Sequence, residues 1–430
     1  MTINFKAPKG TQDILPNESS LWQKIENLAF EILKTFNFKE IRIPTFENEN
    51  LFCRSVGDST DVVEKEMFTF TDRAGRPLAL RPEGTASVVR AILEHGLVNE
   101  AMPLKLFYII SCFRNERPQA GRFKEFHQLG IELFGAKSPI ADVEVMVLIN
   151  QFFNKHQLKN LSIKINSIGC KKCRSTYKKQ LIEFYEQKKD ELCPTCLDRL
   201  QKNPIRLLDC KVETCAEFAK KAPKTTDNLC AECADHFEKV CSLLKLTNLN
   251  FEINNQLVRG LDYYTKTVFE FTSNDLGSQN AICGGGRYDS LVEELSSSTS
   301  SLPAFGCAIG LERLIMILKA QNQNSILKNE DRCALFIGNF KQTTIKSAKM
   351  AFELRERGLN VEVNLLEERS TRAQMKFANK INADFSCILG ENELDSGKIQ
   401  VKNMLSSQVF ELSLSNFTED FIDLYGCKNK

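Results

Sequence analysis

The sequence predicts an α+β chain of more than one domain, and three observations predict it. Two apolar, aromatic-rich runs flank a polar loop, as in an antiparallel hairpin. A crowd of cysteines marks off one segment, and after Cys333 short strands alternate with helices. At 430 residues the chain exceeds one ordinary core, so two or three domains are expected, and a 42% hydrophobic share can fill them. Lysine and arginine total 57 against 55 acidic residues, so a nucleic-acid partner would have to be met by local patches rather than a global field. The start, MTINFKAPKG, has no apolar h-region, and the longest apolar stretch, near Leu104 to Phe113, is too short to span a bilayer. The expectation is a soluble, unexported chain without a membrane partner, whose sixteen cysteines are reduced thiols.

From Leu21 to Phe36, the positions Leu21, Ile25, Leu28, Ile32 and Phe36 recur at helical spacing and give one apolar face. IRIPTFE follows as a strand, with Pro44 placing it at an edge or strand end. The hairpin comprises Leu104 to Phe113 and Phe123 to Phe134 around NERPQAGR. Period-2 alternation puts Phe126, Gln128, Gly130 and Glu132 on one face, with His127, Leu129, Ile131 and Leu133 on the other. A glutamine and a glutamate beside a phenylalanine are costly to bury unpaired, so that face should meet water or a polar ligand. Ser296 to Ser301 reads as a flexible loop, AFGCAIGLERLIMIL as a strand running into a helix, and KNEDR after Leu327 as a linker. Beyond it come ALFIG, a helix carrying Ile345, Ala348 and Phe352, then VEVNLL, a helix from about Thr371, FSCILG and KIQVKNML. That βαβαββ order predicts a small separate α/β domain.

In RPEGTA, at 81–86, Glu83 supplies an acceptor for an ammonium group and Thr85 a hydroxyl at a helix start, a pair suited to an amino-acid head group. The loop RNERPQAGR concentrates Arg114, Arg117 and Arg122. Arg117 and Arg122 read equally well as a solvated basic tip, whereas Arg114 sits at the strand end, where a guanidinium fork can be held against a phosphate.

FRNERP followed by GRFKEFHQLGIELFG resembles motif 2 of class II aminoacyl-tRNA synthetases, in the form found in histidyl-tRNA synthetases. AFGCAIGLERL resembles their motif 3, and the helix with IRIPTFE at 21–47 is similar to motif 1. RPEGTA, LVRGLDYY at 257–264 and CGGGRYDSLVEEL match further family segments in order, so the resemblance covers essentially the whole chain. It implies a catalytic domain on a mixed, mainly antiparallel sheet over residues 1–330, interrupted at about 170–245 by a helical cysteine-rich insertion. An α/β anticodon-binding domain over 331–430 would follow.

The implied activity is histidine–tRNA ligation in the cytoplasm by a homodimer, with ATP, L-histidine and tRNA(His) as partners and Mg2+ as cofactor. The histidine carboxylate attacks the α-phosphate to give histidyl-adenylate, and a terminal ribose hydroxyl of the tRNA then takes the acyl group. No side-chain nucleophile is needed, and positioning by arginines and Mg2+ carries the catalysis. On the family pattern, Arg114 and Arg259 act on the α-phosphate. Glu83, Gly84, Thr85, Gln128, Glu132, Tyr263 and Tyr264 bind histidine, with Glu132 and Tyr264 on the imidazole. Arg114, Glu116, Arg122, Phe126 and Arg313 bind ATP, adenine lying between Phe126 and Arg313. Arg117 and Gln119 meet the tRNA acceptor end. The glycines of GGGR at 284–287 let backbone approach the ligand closely.

Nine cysteines fall between Cys170 and Cys241. Cys170 with Cys173, Cys193 with Cys196, Cys210 with Cys215, and Cys230 with Cys233 give eight thiols in four pairs, the count for two tetrahedral zinc sites of four cysteines each. The alternative is a helical insertion with small buried thiols; Cys241 has a helix-core explanation. Two other functions share this fold: a histidine-sensing regulatory subunit of ATP phosphoribosyltransferase, and a tRNA-sensing domain fused to a kinase. The complete arginine set and the C-terminal domain argue against the first, and the lack of a kinase segment against the second.

Overall fold

The polypeptide divides into two units, residues 1–327 and 328–430, each with its own core. The computed structural model describes residues 5–57, 60–276, 280–296, 301–321, 332–366 and 369–428. The serine-rich loop expected around 296–301 and the linker expected around 328–332 fall largely outside the described residues.

The first unit opens with helix α1 (Pro16–Thr35), started by a proline at its first turn and carrying Glu18 and Lys34 at the ends where the helix dipole favours them. It buries Leu21, Trp22, Ile25, Ala29, Ile32 and Leu33. Strand β1 (Lys39–Glu40) follows, then a small three-stranded sheet of β2 (Phe46–Asn48), β3 (Thr69–Thr71) and β4 (Pro77–Leu80). Helix α2 (Glu49–Val56) lies between β2 and β3 in the chain, and helix α3 (Thr85–Glu94) comes after β4. IRIPTFE is therefore not one strand. Residues 41–45 leave the ladder, because Pro44 has no donor and the Ile43 and Pro44 carbonyls are both taken by the buried guanidinium of Arg81, at 2.7 and 2.9 Å.

The expected hairpin forms as β5 (Leu104–Phe113) and β6 (Glu125–Phe134), paired antiparallel so that Tyr108 faces Gly130 and Leu106 faces Glu132. After helix α4 (Pro139–Lys155) come β7 (Leu161–Ser167), then the insertion, whose helices are α5 (Lys171–Glu186), α6 (Pro194–Lys202), α7 (Glu213–Lys221) and α8 (Ala231–Leu246). The chain continues through β8 (Phe251–Ile253), β9 (Thr265–Ser273), β10 (Ala281–Arg287), the short helix α9 (Leu291–Leu295) and β11 (Ala304–Gly310), which runs directly into helix α10 (Leu311–Ala320). The resulting eight-stranded sheet has the order β1-β5-β6-β11-β10-β9-β7-β8. Only its outer pairs, β1 with β5 and β7 with β8, are parallel among the described strands. It is the mixed, mainly antiparallel sheet expected. One face packs Leu129, Ile131 and Leu133 of β6 beneath α1 and α4, leaving the opposite face of β6 for chemistry.

The insertion is helical, as expected, and its helix α8 meets the core in a buried polar cluster around Asp142. In it, Asp142 of α4 takes His236 Nε2 of α8 at 2.9 Å and Arg287 at 2.8 Å. Both charged chains of the Arg287–Asp142 pair are fully buried, so removing either partner would strand a charge.

The second unit holds a five-stranded sheet of β12 (Leu335–Asn339), β13 (Val361–Val363), β14 (Phe385–Leu389), β15 (Lys398–Asn403) and β16 (Val409–Ser413), ordered β13-β12-β14-β15-β16. The helix expected after ALFIG exists at Thr344–Glu356 but buries Ser347, Met350, Ala351 and Leu354. Ile345 and Phe352, which it was expected to carry, point outward, 87% and 56% exposed. Small Ser347 and Ala351 let the helix lie close on the sheet, which the bulkier face could not do.

Candidate functional site

Antiparallel pairing of β5 and β6 brings Tyr108, Cys112, Phe126, Gln128 and Glu132 to one face, with Gly130 between them. The glycine is required, since a Cβ there would collide with the Tyr108 ring. Glu132 is fully buried. Its carboxylate accepts from the Thr85 hydroxyl at 2.7 Å, from Tyr108 at 3.2 Å and from Tyr288. The face thus meets hydroxyls rather than water. Burial, reinforced by the charge of Glu83, pushes the Glu132 carboxyl up to about 8 despite donation by Tyr288, Thr85 and Tyr108.

Thr85 begins helix α3, as its sequence position suggested. Glu83 caps that helix: its carboxylate accepts from the Thr85 and Ala86 amides at 2.7 and 2.8 Å. Burial raises the Glu83 carboxyl, opposed by these amides and by Arg114. Gly84 lies against Tyr108, whose ring a Cβ would strike.

A cavity of about 200 Å³ opens above this floor. Of the residues singled out from sequence, it is lined by Glu83, Thr85, Arg114, Glu116, Arg122, Phe126, Gln128, Arg259, Tyr263, Tyr264 and Arg313. Glu132 sits directly behind the wall through Thr85. Arg117 and Gln119 are exposed in the β5–β6 loop and do not line the cavity. Arg114 donates from Nε to the Pro82 carbonyl at 3.0 Å and lays its guanidinium over the Phe126 ring, 5.3 Å from the centroid. Arg313 donates to the carbonyls of Gly121 at 3.1 Å and Ala281 at 2.5 Å. Arg122 pairs with Glu116 at 3.0 Å.

Arg259 crosses the glycines of β10 and pairs with Glu270 of β9. A Cβ on Gly284 would strike its guanidinium, so the close approach this run permits is that of Arg259. Its buried Nε has no hydrogen-bond partner among the described residues. Burial would depress its pKa, but Glu270 more than compensates, and the group stays charged.

Tyr108, Tyr288 and Glu270 escaped the sequence reading. Tyr108 was recoverable, since the hairpin register that places Gly130 also places its partner. Tyr288 and Glu270 come from distant segments and carried no local signal. Glu312 was likewise missed: it lines the cavity and accepts from the His127 amide at 2.9 Å and its Nδ1 at 2.8 Å. Glu116 and Glu312 are the hard oxygen donors among the lining carboxylates that suit a Mg2+ ion shared with phosphates.

The eight insertion cysteines gather into two clusters: Cys170, Cys173, Cys230 and Cys233 at its root, and Cys193, Cys196, Cys210 and Cys215 farther out. In each, all four sulfurs lie within 4.8 Å of one another. Cys170 and Cys173 are 3.6 Å apart, and Cys193 and Cys210 3.8 Å. Four thiolates at a Zn–S distance of about 2.3 Å sit roughly 3.8 Å apart at the corners of a tetrahedron. A disulfide needs about 2.05 Å, so these sulfurs are not disulfide-bonded, and their spacing is compatible with a tetrahedral metal site. Amides also point at sulfur, from Cys230 to Cys173 at 3.1 Å and from Cys193 to Cys215 at 3.4 Å, an arrangement that would suit metal-bound sulfur.

Comparison with known proteins meets this geometry from outside. The profile of the histidyl-tRNA synthetase family matches residues 10–314, and that of an anticodon binding domain matches residues 335–424. A histidine–tRNA ligase of Caldanaerobacter subterraneus subsp. tengcongensis is 48% identical, with 95% of this chain and 97% of the relative covered. One from Caldicellulosiruptor bescii is 45% identical over 97% and 98%. The crystal structure of apo S. aureus histidyl-tRNA synthetase is similar with a TM-score of 0.81 at 34% identity, covering 97% of this chain and 99% of that one.

Proposed function

The chain belongs to the histidyl-tRNA synthetase family, and we infer that it is a histidine–tRNA ligase. It activates L-histidine with ATP to histidyl-adenylate, releasing diphosphate, and passes the histidyl group to the 3′ end of tRNA(His), releasing AMP. The observation that carries this reading is a single cavity combining two cations fit for phosphate, Arg114 and Arg259, with an amino-acid floor of Glu83, Thr85, Gln128 and Tyr264.

Histidine lies with its ammonium toward Glu83, Gly84, Thr85 and Gln128 and its imidazole toward Glu132, Tyr263 and Tyr264. Its carboxylate is then directed at the α-phosphate, where the guanidinium groups of Arg114 and Arg259, both at the cavity wall, meet growing charge. Glu270 holds Arg259 over β10, and Arg114 is anchored at Pro82, so both cations are preorganised. Phe126 and Arg313 enclose adenine, with Glu116 and Arg122 at the phosphates. Glu116 and Glu312 would hold the Mg2+ that accompanies ATP, and that ion would neutralise charge at the phosphates. A site that hydrogen-bonds a polar side chain can reject analogues by roughly four to five orders of magnitude, so editing is unnecessary.

The remaining assignments rest on the family. They are a catalytic domain over 1–330 containing the insertion at about 170–245, an anticodon-binding domain over 331–430, a homodimer, a cytoplasmic location, and acceptor-end contacts by Arg117 and Gln119. No helix among the described residues is long and apolar enough to cross a membrane. The two cysteine clusters each bind zinc, supported by their sulfur spacing. The deciding experiment is histidine-dependent exchange of pyrophosphate into ATP: exchange above background that needs histidine is expected, and its absence in folded protein would rule against an active synthetase.

A further inference from the structure

We propose that the root cluster, Cys170, Cys173, Cys230 and Cys233, is a metal-held positioning site for residues 262–266. Metal bound there sets the affinity for histidine and leaves ATP binding alone. The proposal rests on the zinc reading above and extends it from structure to substrate binding.

The root cluster stands where the insertion leaves and re-enters the core. Cys170 closely follows β7 and opens α5, and Cys230 opens α8, which returns the chain to β8. One metal would therefore clamp both crossings. Residues that neighbour these ligands in sequence also grip the segment that follows Arg259. Gly169, beside Cys170, accepts from the Lys266 amide at 3.0 Å, while the Ile168 amide donates to the Lys266 carbonyl at 2.8 Å. Arg174, beside Cys173, donates to the Asp262 carbonyl at 3.4 Å. Glu232, between Cys230 and Cys233, accepts from Lys266 Nζ at 3.1 Å.

Between those held points lie Tyr263 and Tyr264, both buried and both lining the histidine end of the cavity. Lys266 is itself in the left-handed region, with φ of 49°, a conformation unfavourable for lysine that its surroundings must impose. The clamp thus maintains a bend one residue beyond Thr265, where β9 begins. The ATP-facing groups are anchored elsewhere: Arg114 at Pro82, Arg259 at Glu270 of β9, and Arg313 at Gly121 and Ala281. Loosening the clamp should accordingly free the tyrosines and leave the nucleotide end in place.

The test compares full-length wild type, C230S and R174M by zinc content and by pyrophosphate exchange with histidine and ATP varied separately. Wild type should carry two zinc ions, one per cluster. C230S should lose one and show roughly a tenfold rise in KM for histidine, with KM for ATP changed by less than about twofold. Cobalt in place of zinc should give the visible bands of tetrahedral thiolate ligation, roughly halved in C230S. R174M keeps every cysteine, so it should retain both metals and still raise KM for histidine by roughly threefold, which decides the matter if C230S does not fold. Wild type without zinc would overturn the metal reading and the proposal with it. Wild type with two zinc ions, but with KM for histidine unmoved in C230S and in R174M, would overturn the positioning role alone. Equal rises in KM for histidine and ATP would also overturn it, since a general loss of structure predicts them.

Discussion

Glu132 concentrates the tension of the site in one side chain. It is a carboxyl with no exposure, satisfied by three hydroxyls, and held up to about 8. The folded protein therefore keeps a proton that the unfolded chain releases near the ordinary value of 4.5. The folded form binds more protons between those limits, so stability falls as pH rises from about 4.5 to about 8 and stays lowered above that. Glu132→Gln retains an acceptor for Thr85 and Tyr108 but cannot ionise. Its melting temperature should gain on wild type as pH is raised across that window, and a constant difference from pH 5 to 9 would refute the assignment. The same substitution should raise KM for histidine in pyrophosphate exchange and leave KM for ATP alone, because the imidazole end of the site loses the carboxyl that Thr85, Tyr108 and Tyr288 orient. Arg259 tests the other end: Arg259→Met should cut exchange by roughly two to three orders of magnitude, the usual scale for a preorganised donor to developing charge. Circular dichroism should be unchanged, and a near-wild-type rate would remove Arg259 from the phosphate.

At the scale of elements, β10 shows how a backbone can serve a side chain. Gly284 has no functional atom of its own, yet a methyl there would displace the Arg259 guanidinium. Gly284→Ala should thus mimic loss of Arg259 in exchange assays, by about a hundredfold, while costing only the modest stability of an overpacked site, about 1–3 kcal/mol. Full activity would mean that Arg259 works from some other position. What could be read beforehand follows the same division between local and distant information. Alternation along β6 placed Phe126, Gln128 and Glu132 together, because side-chain direction in a strand is fixed by position alone. The hydroxyls that satisfy Glu132 come from β5, α3 and the residue after β10, and only tertiary packing sets their approach. IRIPTFE read as a strand because its composition is strand-like, but Arg81 claims two of its carbonyls from a distant position. The helix at Thr344–Glu356 is legible in the sequence, but its buried face is not, because small Ser347 and Ala351 share the contact with Met350 and Leu354 while the larger Ile345 and Phe352 stay outside. Cysteine spacing gave the four pairs but not which pair meets which; that depended on α8 returning beside the start of α5.

At the scale of the whole molecule, two units with separate cores imply that unfolding is not a single two-state event. Every residue lining the proposed substrate cavity belongs to residues 1–327. A ligand that binds only the folded form of one unit stabilises that unit by RT ln(1 + [L]/Kd), about 2.7 kcal/mol at roughly a hundredfold excess over Kd. Calorimetry of the full chain should therefore resolve two transitions. Histidine with a non-hydrolysable ATP analogue should raise the one belonging to residues 1–327 by a few degrees, as expected for about 2.7 kcal/mol in a domain of that size. The transition of the smaller unit should stay where it was. A strong chelator should lower the larger unit's transition instead, because metal affinity for a site that exists only in the folded insertion is folding free energy. If histidine shifted both transitions equally, or if one transition carried the whole enthalpy, the units would be energetically coupled. Activation and anticodon reading could not then be treated as separable functions of the two cores.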